Sequence, residues 1–329
     1  MIKFLLIIFL VAVGLLLSSR NKNGIRSNIY LLLLSTSFCL LLGEFLCMKF
    51  NVHSDGLSIS ISAQTWKEKY WHPINSHGYR DQDWSSIGVN DKIITFIGDS
   101  FTAGIGINNV VDRFADMTSL LLSAPWRSVV IAKPGFGTDS EYYSLNEFPK
   151  FSDVIVLGYV FNDIEDSFRG CGRDTKFPLN NKICSNALFL SSISHLANFI
   201  LTPLNFGNYC GLGSYYMKMI KEGFNDPECR AVHLEQVAKL ISLAKLKSNK
   251  VIFVIFPQYG SIKESKEIVE LIKDNVAAYN VDLIDGSNGF ESYTPDKLIV
   301  NRTDSHPSLF VHKTIACIIA KKINNAINC

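Results

Sequence analysis

The run Lys92-Ile-Ile-Thr-Phe-Ile-Gly98, followed at once by Asp99-Ser100-Phe101-Thr102-Ala103-Gly104, constrains the fold of this chain more than any other stretch. Its β-branched and aromatic residues suffice for one buried strand, and a glycine-rich turn closes it. Similar short apolar runs recur downstream. Asp91–Gly98 reads as a first strand, Val129–Ala132 as a second, Val154–Val160 as a third, Lys250–Phe256 as a fourth and Val281–Ile284 as a fifth. Val111–Ser123, Asp139–Glu147, Val232–Leu246, Lys263–Ala278 and a last helix from near Pro307 to Ala326 read as helices between and after them. Strands alternating with helices predict an α/β domain built on a parallel, doubly wound sheet. Such sheets bind ligands at the carboxyl ends of their strands, and Ser100 stands just past the first strand. A bare Gly-Asp-Ser is a weak signal alone, because Asp and Ser are also common helix caps.

The front of the chain is of another kind. Phe4–Leu17 is an unbroken apolar run, and Ile29–Met48 is a second, interrupted by small polar residues and Glu44. The second has the roughly 20 residues that cross a bilayer, whereas the first, at about 14, spans about 21 Å as a helix and depends on its flanks. No small-x-small cleavage site follows the first run, which argues against a removed signal peptide. Arg20, Lys22 and Arg26 lie between the runs, and basic connections of this kind stay in the cytoplasm. The chain therefore reads as a transmembrane hairpin over residues 1–50, touching the membrane through 4–17 and 29–48. A linker and packing segment follows over 51–90, and the main domain over 91–329 lies on the extracytoplasmic side of the cytoplasmic (inner) membrane. Within that domain the strand–helix rhythm breaks at about 163–230, which holds four cysteines and one apolar helical stretch, Ala187–Leu201. It reads as an insertion over the active face, where long connections tend to be functional.

With 32 basic against 30 acidic residues, the chain offers no basic field for nucleic acid. Of its 8 cysteines, Cys39, Cys47 and Cys317 read as packing residues in apolar stretches. In an extracytoplasmic domain the others are disulfide candidates, and pairing of sequence neighbours gives Cys171–Cys184 and Cys210–Cys229. No Cys-x-x-Cys spacing supports a metal site. Nothing in the sequence demands a metal or organic cofactor.

A serine nucleophile needs a base, a group that orients the base, and donors aimed at the oxyanion. His53, His72 and His77 precede the sheet, His195 and His233 lie in or beside the insertion, and His312 falls inside the last helix. That leaves His306, in the loop Thr303-Asp-Ser-His-Pro-Ser308, with Asp304 two residues upstream as its orienting acid.

Four blocks in order, Gly98-Asp-Ser100 with Phe-Thr-x-Gly, then Pro134-Gly-Phe-Gly-Thr-Asp139, Phe161-Asn-Asp163 and Asp304-Ser-His-Pro307, resemble those of the SGNH (GDSL-like) hydrolase superfamily over roughly Asp91–Lys321. The resemblance implies a flavodoxin-like sheet, the SGNH hydrolase fold, with Ser100 as nucleophile and His306 and Asp304 as base and orienter. It also implies an oxyanion hole from Gly135, with Gly137 the less favoured choice, from Asn162, and from the Ser100 N–H. One departure is plain: the family's usual last block spaces Asp three residues before His, where this chain has Thr303. A Ser–His dyad without an acid is the fallback. The block-one motif also differs from the G-x-S-x-G elbow of α/β-hydrolases. The expected function is a serine esterase acting on O-acyl esters of an envelope carbohydrate or lipid. The alternatives are an O-acyltransferase that modifies a surface or exported glycan, and a non-catalytic glycan-binding relic.

Overall fold

The structure is a computed structural model that describes residues 2–18, 24–56, 58–173, 182–206 and 212–329. Its helices, in chain order, are α1 (Ile2–Ser18), α2 (Gly24–Phe50), α3 (Ile61–Tyr70), α4 (Ser100–Ala103), α5 (Phe114–Leu122), α6 (Thr138–Glu147), α7 (Glu165–Phe168), α8 (Lys182–Ile193), α9 (His195–Phe206), α10 (Leu212–Asn225), α11 (Pro227–Lys247), α12 (Ile262–Ala277), α13 (Pro295–Leu298) and α14 (Leu309–Ile323). The strands are β1 (Lys92–Gly98), β2 (Trp126–Ala132), β3 (Ser152–Val160), β4 (Ser248–Phe256), β5 (Asp282–Asp285), β6 (Ile299–Asn301) and β7 (Asp304–Pro307). Two compact units result, one of residues 1–68 with 178–212, the other of 69–177 with 213–329.

In the first unit α1 packs along α2, with the Phe9 and Phe38 rings 6.4 Å apart. Asn28–Phe50 is long and apolar enough to cross a membrane, whereas α1 offers the shorter apolar stretch Ile8–Leu17. Residues 19–23, with Arg20 and Lys22 of the basic connection, lie outside the described residues. Helices α8 and α9 pack on each other and complete the unit. The single helix expected over Ala187–Leu201 is thus two, broken at Ser194. The cause is local: the Ala197 N–H donates to Ser194 Oγ at 3.0 Å, so Ser194 starts a new helix as its cap.

The second unit carries the five-stranded sheet, all parallel, in the order β2-β1-β3-β4-β5. This is the flavodoxin-like order, with the reversal of strand order across the sheet falling between β1 and β3. Alternate residues of each strand face opposite sides. Ile94 and Phe96 of β1, with Val154 and Val156 of β3, pack against Phe114 and Ala115 of α5 and Val311, Ile315 and Ile319 of α14. Ile93 and Ile97, with Ile155 and Leu157, pack against Leu145 of α6, Val237 and Ile241 of α11 and Ile268 of α12. Both faces are covered, which is why the strands read as near-continuous apolar runs.

The cysteines pair otherwise than expected. Cys171 bonds Cys229, 58 residues away, so neither Cys171–Cys184 nor Cys210–Cys229 forms. Cys210 itself lies outside the described residues, and Cys184 is disulfide-bonded. Cys171 follows α7 and Cys229 opens α11, and these two helices pack together. Closeness in space, not in sequence, selects the pair. In the chain-entropy account, closing a loop of that length contributes about 4 kcal/mol. Cys317, expected to be a packing residue, bonds Cys329 and ties the tail to α14. Cys39 and Cys47 are the free cysteines among the described residues.

Candidate active site

Three loops meet at the carboxyl edge around β1. Gly98 stands in register with Ala132 on one side and Gly158 on the other. Ser100 therefore follows β1 by two residues, Gly135 follows β2 by three, and Asn162 follows β3 by two. Room for the turn at Ser100 comes from two glycines. A Cβ on Gly98 would stand 2.2 Å from Thr102 Oγ1, and one on Gly158 would stand 2.4 Å from the same atom. With neither present, the first turn of α4 settles onto the sheet. Asp99 caps α4, accepting the Phe101 N–H at 2.9 Å, and Gly104 closes it at φ +77°. The capping reading of Asp99 is correct, and it serves to aim Ser100.

The other half of the site comes from the far end of the chain. β6 and β7 form a two-stranded antiparallel ribbon, so Asp304 and His306 lie on an extended strand and not, as expected, in a loop. Residues i and i+2 of a strand share a face. A spacing of two is therefore the one that turns both side chains the same way here. His306 Nδ1 lies 2.5 Å from Asp304 Oδ1, which also accepts the His306 backbone N–H at 3.0 Å. His306 Nε2 lies 2.7 Å from Ser100 Oγ. Thr303 donates to Asn301 Oδ1 instead, at 2.7 Å. Phe101 packs against the imidazole at 5.1 Å between ring centres. Asp304 is fully buried, while Ser100 and His306 keep 9% of their surface, so the acid is dry and the serine reachable.

Asn162 Nδ2 donates to Asp99 Oδ2 at 3.1 Å, and Ser100 Oγ lies at 3.1 Å from the same oxygen. An amide NH₂ has two hydrogens, so this bond orients Asn162 and leaves a second hydrogen for a ligand. Gly135 is exposed and adopts φ +79°, with open space where a Cβ would stand. Gly137 is the opposite case: it is buried, and a Cβ there would meet the Asp166 carboxylate at 2.5 Å. Asp166 in turn accepts the Asp139 N–H at 3.1 Å. Gly135 is thus free to face a ligand, and Gly137 is committed to packing.

Sequence reasoning missed two features. Arg80, 1% exposed, donates to the carbonyls of Gly104 and Ile107, each at 2.8 Å, and of Asn108 at 3.2 Å. It clamps the loop that leaves the nucleophile turn. Arg113 backs it by donating to the Arg80 carbonyl at 2.6 Å while facing Asp81 at 3.5 Å. Burial, with Arg113 beside it, lowers the Arg80 pKa to about 10, and burial raises Asp81 to about 6 against the pull of Arg113. The signal was present as an Arg-Asp pair in an aromatic segment, but no local pattern says which carbonyls an arginine will reach.

The second missed feature is a buried acidic cluster behind the site. Burial pushes Asp99, Glu141 and Asp163 above the usual carboxylate range, and mutual repulsion adds to the rise for Glu141 and Asp163. A carboxyl raised in the folded state is unpenalised below its unfolded value, about 4.3 for Glu. The native state then loses stability as pH climbs toward the folded value. Glu141→Gln should therefore gain on the parent as pH rises from 5 to 8 in thermal melts of detergent-purified protein. Parallel pH curves for the two would show that Glu141 carries no such penalty.

Two of the remaining histidines have structural places. His233 and His312 are fully buried and pushed down to about 3 by burial. His312 Nδ1 accepts the Phe114 N–H at 3.0 Å, and His233 Nε2 pairs with the Tyr159 hydroxyl at 2.8 Å.

No protein-family model matches the chain, and no curated protein does. Among solved structures it is similar to a member of the lipolytic protein G-D-S-L family from Veillonella parvula, at 16% identity over 71% of this chain and 98% of that one, with a TM-score of 0.43. It is also similar to the lipase/acylhydrolase from Enterococcus faecalis, at 17% identity over 72% and 97%, TM-score 0.42. A carbohydrate acetylesterase family member from Sinorhizobium meliloti is similar at 12% identity over 71% and 98%, TM-score 0.41. On its own strand order, with residues of the four sequence blocks gathered at the carboxyl end of β1, the chain has a flavodoxin-like α/β fold, the kind that the SGNH (GDSL-like) resemblance implies.

Proposed function

We propose that the chain is a serine esterase that hydrolyses O-acyl esters of an envelope carbohydrate or lipid. The observation that carries this reading is the continuous line of contacts from Asp304 through His306 to Ser100 Oγ, the last 2.7 Å from His306 Nε2. In this mechanism His306 Nε2 takes the Ser100 proton while Oγ attacks the ester carbonyl. Asp304 holds the imidazole by its Nδ1 side and stabilises the cation that forms. The oxyanion of the tetrahedral intermediate meets the second Asn162 amide hydrogen, the Gly135 N–H and the Ser100 N–H. Collapse breaks the bond to the alkoxy oxygen, which leaves with the proton from His306. Water, activated by the same imidazole, then attacks the acyl-serine and releases the acid. Each step needs only proton transfer and charge stabilisation.

The reading includes a place. The apolar Asn28–Phe50 helix and the disulfides suit a chain anchored in the cytoplasmic membrane with its sheet domain in an oxidising compartment. A reporter that works only outside the cytoplasm, fused after Cys329, should be active. Activity confined to a cytoplasmic reporter would reverse the orientation.

The fate of the acyl group tests the reaction itself. With an acyl-labelled activated ester, label should appear as free acid, and added oligosaccharide should not speed its release. Label collecting mainly on the glycan would identify a transferase instead.

A further inference from the structure

Residues 183–217 contain no Asp, Glu, Lys or Arg, in a chain that is 19% charged. Helices α8 and α9 occupy most of this stretch. They leave Ile183, Phe189, Leu190, Ile193, Phe199 and Ile200 exposed, with Phe189 at 63%, Phe199 at 60% and Ile200 at 62%. Around the joint between the two helices the polar side chains turn the other way: Ser191, Ser194, His195 and Asn198 are all buried, while the exposed polar residues of α8, Lys182, Ser185 and Asn186, lie in its first turns. A water-facing helical hairpin shows the reverse pattern, with polar residues outward.

The same unit holds an acid in an unusual setting. Glu44 interrupts the apolar run of α2 and is 2% exposed. Its carboxylate accepts from Ser194 Oγ at 2.7 Å and from the backbone N–H groups of His195 at 3.0 Å and Leu196 at 2.9 Å. Those amides are the unpaired donors at the start of α9, where the helix dipole favours negative charge. A carboxylate inside a spanning helix is costly unless it is paired in this way. At Gly43 a Cβ would stand 3.2 Å from Leu196 Cδ2, so the two helices meet at a small residue, as closely packed membrane helices do. Next to this joint α2 exposes Leu42, Phe45 and Leu46, apolar like the exposed residues of α8 and α9.

We propose that the α8–α9 hairpin is itself a membrane element, seated beside α2 with lipid acyl chains covering its exposed apolar face. Each helix has 12 residues, or about 18 Å, too short for the roughly 30 Å hydrocarbon layer. The hairpin therefore enters and leaves by one side of the bilayer. Its turn at Ser194 is anchored to Glu44, six residues and about 9 Å before the end of α2. Among its described residues the hairpin backbone stays in two helices joined by the capped turn at Ser194, as the lipid interior requires. This inference goes beyond the ester chemistry at Ser100 and stands or falls separately from it.

The test uses the full chain in phospholipid vesicles with and without acyl chains carrying a nitroxide quencher. Phe199→Trp and Leu190→Trp place a new fluorophore on each helix, and Val89→Trp, at a fully exposed residue of the sheet unit, is the control. Emission is read as the difference from the parent, whose 4 tryptophans are unchanged, and melting curves matched to the parent qualify each variant. The added emission of the two hairpin variants should fall about twofold in quencher lipid while the control does not change. Water-like, unquenched emission from both would overturn the proposal. Blue-shifted but unquenched emission, with crosslinked dimers, would overturn it in favour of a second copy of the chain on that face.

Discussion

Ser100→Ala and His306→Ala will each abolish turnover of an activated ester such as a nitrophenyl acetate. A loss near 10⁶-fold in kcat is expected, because these residues act as one unit, and the double variant should lose little more than either single one. Asp304→Ala should leave a measurable remainder. The imidazole then keeps its contact to Ser100 at 2.7 Å but loses the carboxylate that Nδ1 meets at 2.5 Å. The result also decides between the triad and a Ser–His dyad, since a dyad would tolerate loss of Asp304 almost fully. Turnover by Ser100→Ala equal to that of the parent would remove the serine mechanism.

Asn162→Ala should lower kcat by about 10²–10³-fold with KM little changed, the signature of a donor used in the transition state alone. The side chain has a second duty, because its Nδ2 donates to Asp99 Oδ2 at 3.1 Å. Removing it leaves Asp99, fully buried at the base of the nucleophile turn, with one donor fewer. A melting curve taken with the kinetics separates the two effects. A loss of oxyanion stabilisation leaves the melt unmoved, whereas a collapse of the turn lowers both. A change in kcat of less than about tenfold would take Asn162 out of the oxyanion hole.

The strands were legible because their residues face apolar surroundings on both sides, so β1, β3 and β4 appear as unbroken runs that need no partner to be read. Their ends were less certain. β2 begins at Trp126 and not at Val129, since Trp126 and Arg127 pair in register with Lys92 and Ile93 at the rim, where burial no longer marks a strand. The helix expected from Val111 starts at Phe114, after a separate 3-10 turn at Val110–Asp112. The helix expected from Pro307 starts at Leu309, because Pro307 completes β7 and Ser308 takes the cap, accepting the Val311 N–H at 3.4 Å.

At the site, residue types and chain order carried the reading of Ser100 and Asn162, each just past a strand that its own neighbours announce, and of His306, expected in a loop and placed by the structure on β7. The choice of Gly135 over Gly137 became concrete only with Asp166, which arrives from another loop and fills the space beside Gly137. Likewise, Asp304 meets His306 at a spacing of two because β6 pairs with β7 and pulls the segment into an extended strand. Nothing local compels that pairing.

Local chemistry, then, was enough for the parallel sheet, its carboxyl edge and the identity of the residues that gather there, because burial patterns and turn residues act over a few positions. Long-range meetings were beyond it. The joining of Cys171 to Cys229, the clamp of Arg80 on the nucleophile loop and the capping of α9 by Glu44 each bring together groups 24 to 152 residues apart. Such contacts depend on how helices and loops pack in three dimensions, and a one-dimensional pattern carries no record of that packing.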